Sequence, residues 1–270
     1  MFDREVVDTL PPGPELGRLL VTVDHTELDT ADTLCWLRAH ERQKAYQAAH
    51  EADLLAHFAD LNSTLDPVEE DLHDRQVKGT PRLIQVGGDG TPTVHEFCLT
   101  ELAATLKCSE GRARYLLADA LDLHHRLPQT LTRMHQGALS GYRASLITRQ
   151  SRCLPKPGAG QLEEELGATA CRVGDKRLCD EVDRLLIDLD PERAARRAKD
   201  AAESRYVHVE RDPDPAGDGN GVAFLNAKID AFSAQAFDQA LNTVAGMLKS
   251  LGVTGDHDVL RAQALGWLAN

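Results

Sequence analysis

The sequence predicts a mainly α protein: a multi-helix bundle with one long N-terminal helix and a single β-hairpin near residues 205–228. Three observations carry this expectation. Aromatic residues make up only 4% of the 270 while alanine and leucine are plentiful, a composition suited to helices packed through small side chains. Apolar positions recur at helical spacing through most of the chain. Period-two alternation stands out at Tyr206-Val-His-Val209 and Val222-Ala-Phe-Leu225, on either side of a polar stretch rich in Asp, Pro and Gly.

Taken in order, residues 1–13 form a lead-in ending at Pro11-Pro12-Gly13, and Pro14 opens a short helix through Leu16, Leu19 and Leu20. Thr30 is the expected cap of a long helix from Ala31 to about Leu61, with Leu34, Leu37, Ala45, Ala48, Ala52, Leu55 and Ala59 inward. Between Asn62 and Thr93 the periodicity weakens under Pro67, Pro81, Gly87, Gly88, Gly90 and Pro92, which reads as an internal linker. The expected division is therefore 1–80 and 81–270, although one continuous domain fits the same pattern. A capping box at Thr93-Val-His-Glu96 starts the next helix, which ends at Lys107. A second helix follows the Ser109 cap, a third runs from Pro128 to a stop at Gly137, and a fourth starts behind Ser140. Pro155-Lys-Pro-Gly-Ala-Gly160 is expected to break the chain before three helices at about 161–173, Asp175 onward and Pro191 onward. The hairpin comes next. Two C-terminal helices close the order, the first with Phe237, Leu241, Val244, Ala245, Leu248 and Leu251 inward.

The stretch Glu101 to Leu117 has the rhythm of a helix-turn-helix, with Cys108 in the turn and Glu110, Arg112 and Arg114 outward where a DNA-reading helix carries its contacts. Lys107 stands in that turn where φ > 0 favours glycine. The net charge of −13 argues against nucleic-acid binding over the whole surface, but the charge is uneven. Residues 1–75 hold six Lys/Arg against seventeen Asp/Glu, whereas residues 107–152 hold eight against three. This basic segment suits a local phosphate-facing surface or, equally, an internal partner for the acidic N-terminus. The candidate nucleic-acid-binding residues are Arg112, Arg114, Arg126, Arg133, Arg143 and Arg149.

Other chemistry finds weaker footing. The six cysteines form no C-x-x-C pair, which points to reduced thiols and away from a metal site or disulfide framework. Gly87-Gly88-Asp89-Gly90 lacks the spacing of a phosphate loop and reads as a tight turn. His124 and His125 point about 100° apart on a helix, so one packed and one exposed is expected. Glu163-Glu-Glu165 reads as a solvated helix start. Asp212, Asp214 and Asp218 lack the glutamate of a calcium loop. No cofactor, metal or catalytic residue is expected. With no membrane-length apolar run and no basic-then-apolar leader, a cytoplasmic location is expected.

Leu10-Pro-Pro-Gly-Pro-Glu-Leu16, Leu127-Pro-Gln-Thr130, Gly137-Ala-Leu-Ser140, Leu189-Asp-Pro-Glu192 and Arg261-Ala-Gln-Ala-Leu265 occur in that order. Together they resemble the family called domain of unknown function 222, the helical N-terminal region of HNH-endonuclease-associated proteins. Gln263 departs from that pattern, which usually has aspartate there. The resemblance implies a DNA-binding or target-positioning module beside a C-terminal HNH nuclease domain, whose paired C-x-x-C and His-Asn-His motifs this chain lacks. No catalytic residue is carried over. The alternative is a protein-interaction or self-association module built on the small-residue seam at Ala45, Ala48, Ala52 and Ala59.

Overall fold

Fourteen α-helices and two antiparallel strand pairs are found among the described residues of the computed structural model, which are 4–75, 77, 79–211 and 223–269. The chain divides at Pro191 into two units, not at residue 80. The reason is the long helix α3 (Thr30–Leu61). Its second half contributes Ala49, Ala52, Leu55 and Ala59 to the same core as the central helices, so no boundary separates them.

In the first unit, α1 (Arg4–Thr9) and α2 (Pro14–Leu20) pack on the start of α3 through Val7, Leu16, Leu20, Cys35, Trp36 and Ala39. The buried stripe there is one residue out of phase with expectation: Leu34 and Leu37 are exposed. Evenly scattered alanines give this helix little amphipathic contrast, so its phase was poorly marked. Asp29, not Thr30, is the cap, its carboxylate accepting from the Asp32 N–H at 2.7 Å. Buried Gln43 ties α2 to α3 by accepting from the Gly13 N–H.

The expected linker is structured. It holds α4 (Pro67–Asp74) and a small antiparallel pair, β1 (Leu83–Gln85) with β2 (Thr93–His95), so two strand pairs and not one are found among the described residues. The capping box belongs to α4, where Asp66 and Glu69 bond each other's backbone N–H. Thr93–His95 are engaged as a strand, and Glu96 pairs with Arg82. Helix α5 (Cys98–Leu106) therefore starts two residues beyond the expected box, behind Phe97 and without a side-chain cap. Val86 and Val94 bury into the main core, anchoring this hairpin against the helices.

Helix α6 (Glu110–His125) runs through the middle of the unit, flanked by α3, α7 (Pro128–His135) and α8 (Gly141–Ser151). Ser109 and Ser140 cap α6 and α8 as expected, each accepting from the N–H three residues on. Gly137 (φ 72°) ends α7, and a Cβ there would press on the backbone of Arg42, so α3 and α7 approach closely at that point. Beyond α8 the expected break at 155–160 is instead the first turn of α9 (Lys156–Leu166): Pro155 precedes it and Pro157 sits where the helix requires no donor. Glu163 is buried and accepts from the Thr130 N–H at 2.6 Å, which corrects its reading as a solvated residue. After α10 (Thr169–Arg172), α11 (Asp175–Leu189) buries Leu178, Val182 and Leu185 along the expected stripe.

The second unit starts within α12 (Pro191–Glu203) and contains β3 (Tyr206–Arg211) paired with β4 (Ala223–Lys228), then α13 (Ala231–Ser250) and α14 (His257–Leu268). Leu241, Ala245 and Leu248 of α13 meet Leu260 and Ala264 of α14, while Phe237 and Leu251 are exposed, contrary to expectation. Gln263 is also exposed, so the departure from the family pattern lies outside this small core. Asp212, Asp214 and Asp218, set aside above as calcium ligands, lie outside the described residues. No helix among those described is long and apolar enough to cross a membrane.

Candidate nucleic-acid interface

Helices α5 and α6 pack on each other and are joined by the short turn 107–109. Lys107 is the one non-glycine residue with positive φ among those described (φ 51°, ψ 44°). Around it the Lys107 N–H reaches the Ala104 carbonyl and the Cys108 N–H the Ala103 carbonyl, the paired bonds that close a helix in the left-handed conformation. Lysine there carries backbone strain that glycine lacks. Lys107→Gly is accordingly expected to stabilise the first unit by about 0.5–1 kcal/mol, read from the urea midpoint. Leu102 and Ala103 face inward as expected, whereas Leu106 is half exposed. Beyond the turn Ala113 and Leu117 are fully buried, and Glu110, Arg112 and Arg114 point to solvent.

The six candidate arginines separate sharply. Arg112 and Arg114 are exposed and make no ion pair among the described residues. Arg133 is partly covered and bonds Gln129 at 3.3 Å. Arg143 donates to the Val173 carbonyl and lies 3.5 Å from Asp175, so it joins α8 to the start of α11. Arg126 is removed from the candidate surface altogether: its residue is 2% exposed. Arg149 keeps half of its side chain exposed but spends its charge on Asp119.

Arg126 and Arg149 belong to an internal ion cluster that sequence reading missed. Asp122, fully buried, accepts from Arg126 Nη1 at 3.0 Å, from Arg152 Nε at 2.6 Å and from the Gly88 N–H at 2.8 Å. Asp119 accepts from Arg152 at 2.7 Å, from the Thr148 hydroxyl at 3.0 Å and from Arg149 at 3.2 Å. Arg126 Nη2 also donates to the Ser151 and Leu154 carbonyls, satisfying the exposed end of α8. Three arginines and two aspartates thus staple the turn after β1 to α6 and α8. Much of the basic excess of residues 107–152 is neutralised inside the protein. The 119/122 and 149/152 pairs each lie one helical turn apart, a spacing visible in the sequence once α6 and α8 are known to be neighbours.

Between α3, α6 and α8 opens a groove of about 700 Å³. Its floor is apolar, with Ala52, Leu55, Leu123 and Met134. Its walls carry Glu51, Arg112, Tyr115, Tyr142, Ser145 and Arg149. Tyr115 and Tyr142 are 55% and 63% exposed. The Arg149 guanidinium, fixed by Asp119, stands 5.2 Å from the centre of the Tyr115 ring, within cation–π range. Neither tyrosine was distinguished by sequence patterning, because exposed aromatics on a helix carry no periodic signal.

The paired histidines behave as expected. His124 is partly exposed and bonds Asp53, whereas His125 is more covered and its burial pushes the imidazole below its ordinary range. Asp53 also receives His135 at 3.1 Å and lies 3.6 Å from His50. Among the described residues no group of three or more His, Cys, Asp or Glu is arranged to hold a metal ion. The alanine seam of α3 is occupied within the chain: Ala45, Ala52 and Ala59 are buried and Ala48 lies partly buried against the core, with α6 and α7 packed on this helix.

The fold is mainly α, with two small antiparallel strand pairs among the described residues. The chain belongs to the family described as Domain of unknown function (DUF222), whose model matches residues 56–256. No curated protein and no solved structure matches the chain.

Proposed function

We propose that this chain is a DNA-binding or target-positioning module, acting without catalysis of its own beside an HNH nuclease domain. The observation that carries the reading is the pair of exposed arginines, Arg112 and Arg114, without an ion pair among the described residues and on the first turns of α6, directly after the left-handed turn at Lys107. The Ser109-capped start of this helix adds the positive end of its dipole to the same surface. The binding surface is narrower than the six candidates from sequence: Arg112 and Arg114 lead it, and buried Arg126 has no part. Arg143 and Arg149 act through the shape they give α8. A cytoplasmic setting accords with six free cysteines.

Fluorescence anisotropy with a labelled duplex at low salt tests this. Replacing Arg112 and Arg114 together by alanine is expected to weaken binding by roughly tenfold. The same change lowers the slope of log affinity against log salt by roughly two. Binding that is absent in the unaltered protein, or indifferent to both substitutions, overturns the proposal. The nuclease context is checked separately, by whether coding sequence beyond Asn270 carries C-x-x-C and His-Asn-His motifs.

A second reading, as a protein-interaction or self-association module, draws on a different surface. One face of the β3–β4 hairpin consists of Val207, Val209, Leu225 and Ala227, all exposed. Light scattering over a range of concentrations decides it for self-association: a strictly monomeric result counts against, and dimers lost in Val207→Lys count for.

A further inference from the structure

The groove beside α6 adds a ligand to the DNA reading, on which it rests. The first two turns of α6 are free to meet a partner, whereas Leu117 through Leu123 are buried on every side. A helix so embedded cannot lie along a major groove and read a run of base edges. What adjoins those two turns is the apolar-floored groove, with Arg112 on its wall and the exposed rings of Tyr115 and Tyr142 beside it. Flat aromatic surfaces beside a guanidinium are the chemistry that holds unpaired bases: the ring takes the base face and the cation takes the phosphate. Arg149 is held over Tyr115 by Asp119, so that platform is set before any ligand arrives.

The charges decide which part of a nucleotide enters. Glu51 lines the groove and forms no ion pair among the described residues, whereas Asp119 is already neutralised by Arg149 and Arg152. The Glu51 carboxylate repels a phosphate but accepts hydrogen bonds from the amino group of a base. The free cation, Arg112, lies next to the helix start on the solvent side. We infer that the groove receives a single unpaired nucleobase of the bound DNA, stacked against Tyr115 or Tyr142, while Arg112 holds the backbone phosphate outside. At about 700 Å³ the groove is ample for one base.

The test compares a fully paired duplex with one of equal length carrying a single bulged adenine, whose base has no pairing partner and is cheaper to extrude. Anisotropy is expected to give about tenfold tighter binding to the bulged duplex. The double variant Tyr115→Leu, Tyr142→Leu is expected to lose that preference while still binding the paired duplex. Tyr115→Phe, Tyr142→Phe keeps it. All four changes fall on exposed positions, and circular dichroism verifies the fold. Equal affinity for the two duplexes, or a preference that survives the leucine variant, overturns the inference while leaving the DNA module standing. Failure to bind either duplex overturns both.

Discussion

Asp122→Ala is expected to be the most damaging single substitution in the first unit, costing about 3–5 kcal/mol. The carboxylate is the shared acceptor of Arg126, Arg152 and the Gly88 N–H, and its side chain has no exposure to water. Removing it strands the buried Arg126 guanidinium, which already has an unpartnered Nε, beside Arg152 with their common counter-charge gone. The arginines would have to find water by separating α6 from α8 and the hairpin turn. Urea unfolding followed through Trp36, buried on α3, in a Trp267→Phe background reads the first unit selectively. A loss below about 1 kcal/mol would mean that the cluster contributes little beyond its neighbours' packing. Asp122→Asn separates charge from hydrogen bonding: it retains an acceptor and is expected to fall between the two.

Gly88→Ala is expected to cost about 2–4 kcal/mol, through the same cluster approached from the other side. A Cβ at Gly88 would overlap the Arg126 guanidinium, Nη1 first. That group is the far end of a flexible side chain, which would ordinarily swing away. Here it is pinned by Asp122 and by two backbone carbonyls, so yielding means breaking bonds that have no replacement. Gly160→Ala is the control: it lies inside α9 with open space around it, and is expected to gain up to about 1 kcal/mol from helix propensity. The same urea experiment reads both variants. Equal, small effects at the two glycines would remove the steric account.

The helices were largely legible in the sequence because their punctuation is local. Ser109, Pro128, Gly137 and Ser140 act on groups within a few residues, and each does what its chemistry dictates. Misreadings arose where a distant partner decides. Thr93-Val-His-Glu96 carries the letters of a capping box, yet pairing with Leu83–Gln85 claims those residues for a strand. Asp66 and Glu69 carry the same reciprocal chemistry less conspicuously and use it. The site followed the same rule. Arg112 and Arg114 were legible as outward residues from the phase of α6 alone. Arg126 was not legible as buried: its counter-charge Asp122 is only four residues back on α6, but the carbonyls that hold it inside come from Ser151 and Leu154 at and beyond the end of α8, 25 and 28 residues further on. Charge counting along the chain saw a basic segment, and only folding reveals how much of it is cancelled.

The alanines of α3 carry one more consequence, which concerns how this protein can diverge. Ala45, Ala49, Ala52, Ala56 and Ala59 bury almost completely at close helix crossings, so each position can lose almost nothing and gain nothing cheaply. Glycine there forfeits about 1 kcal/mol of helix propensity, and valine or leucine forces neighbouring helices apart. The opposite face of the same helix, with Leu54, Leu61 and the charged residues exposed, is under no such constraint. Sequence drift in α3 should therefore run along one side only, with polar and apolar residues exchanging freely outside and small residues fixed within.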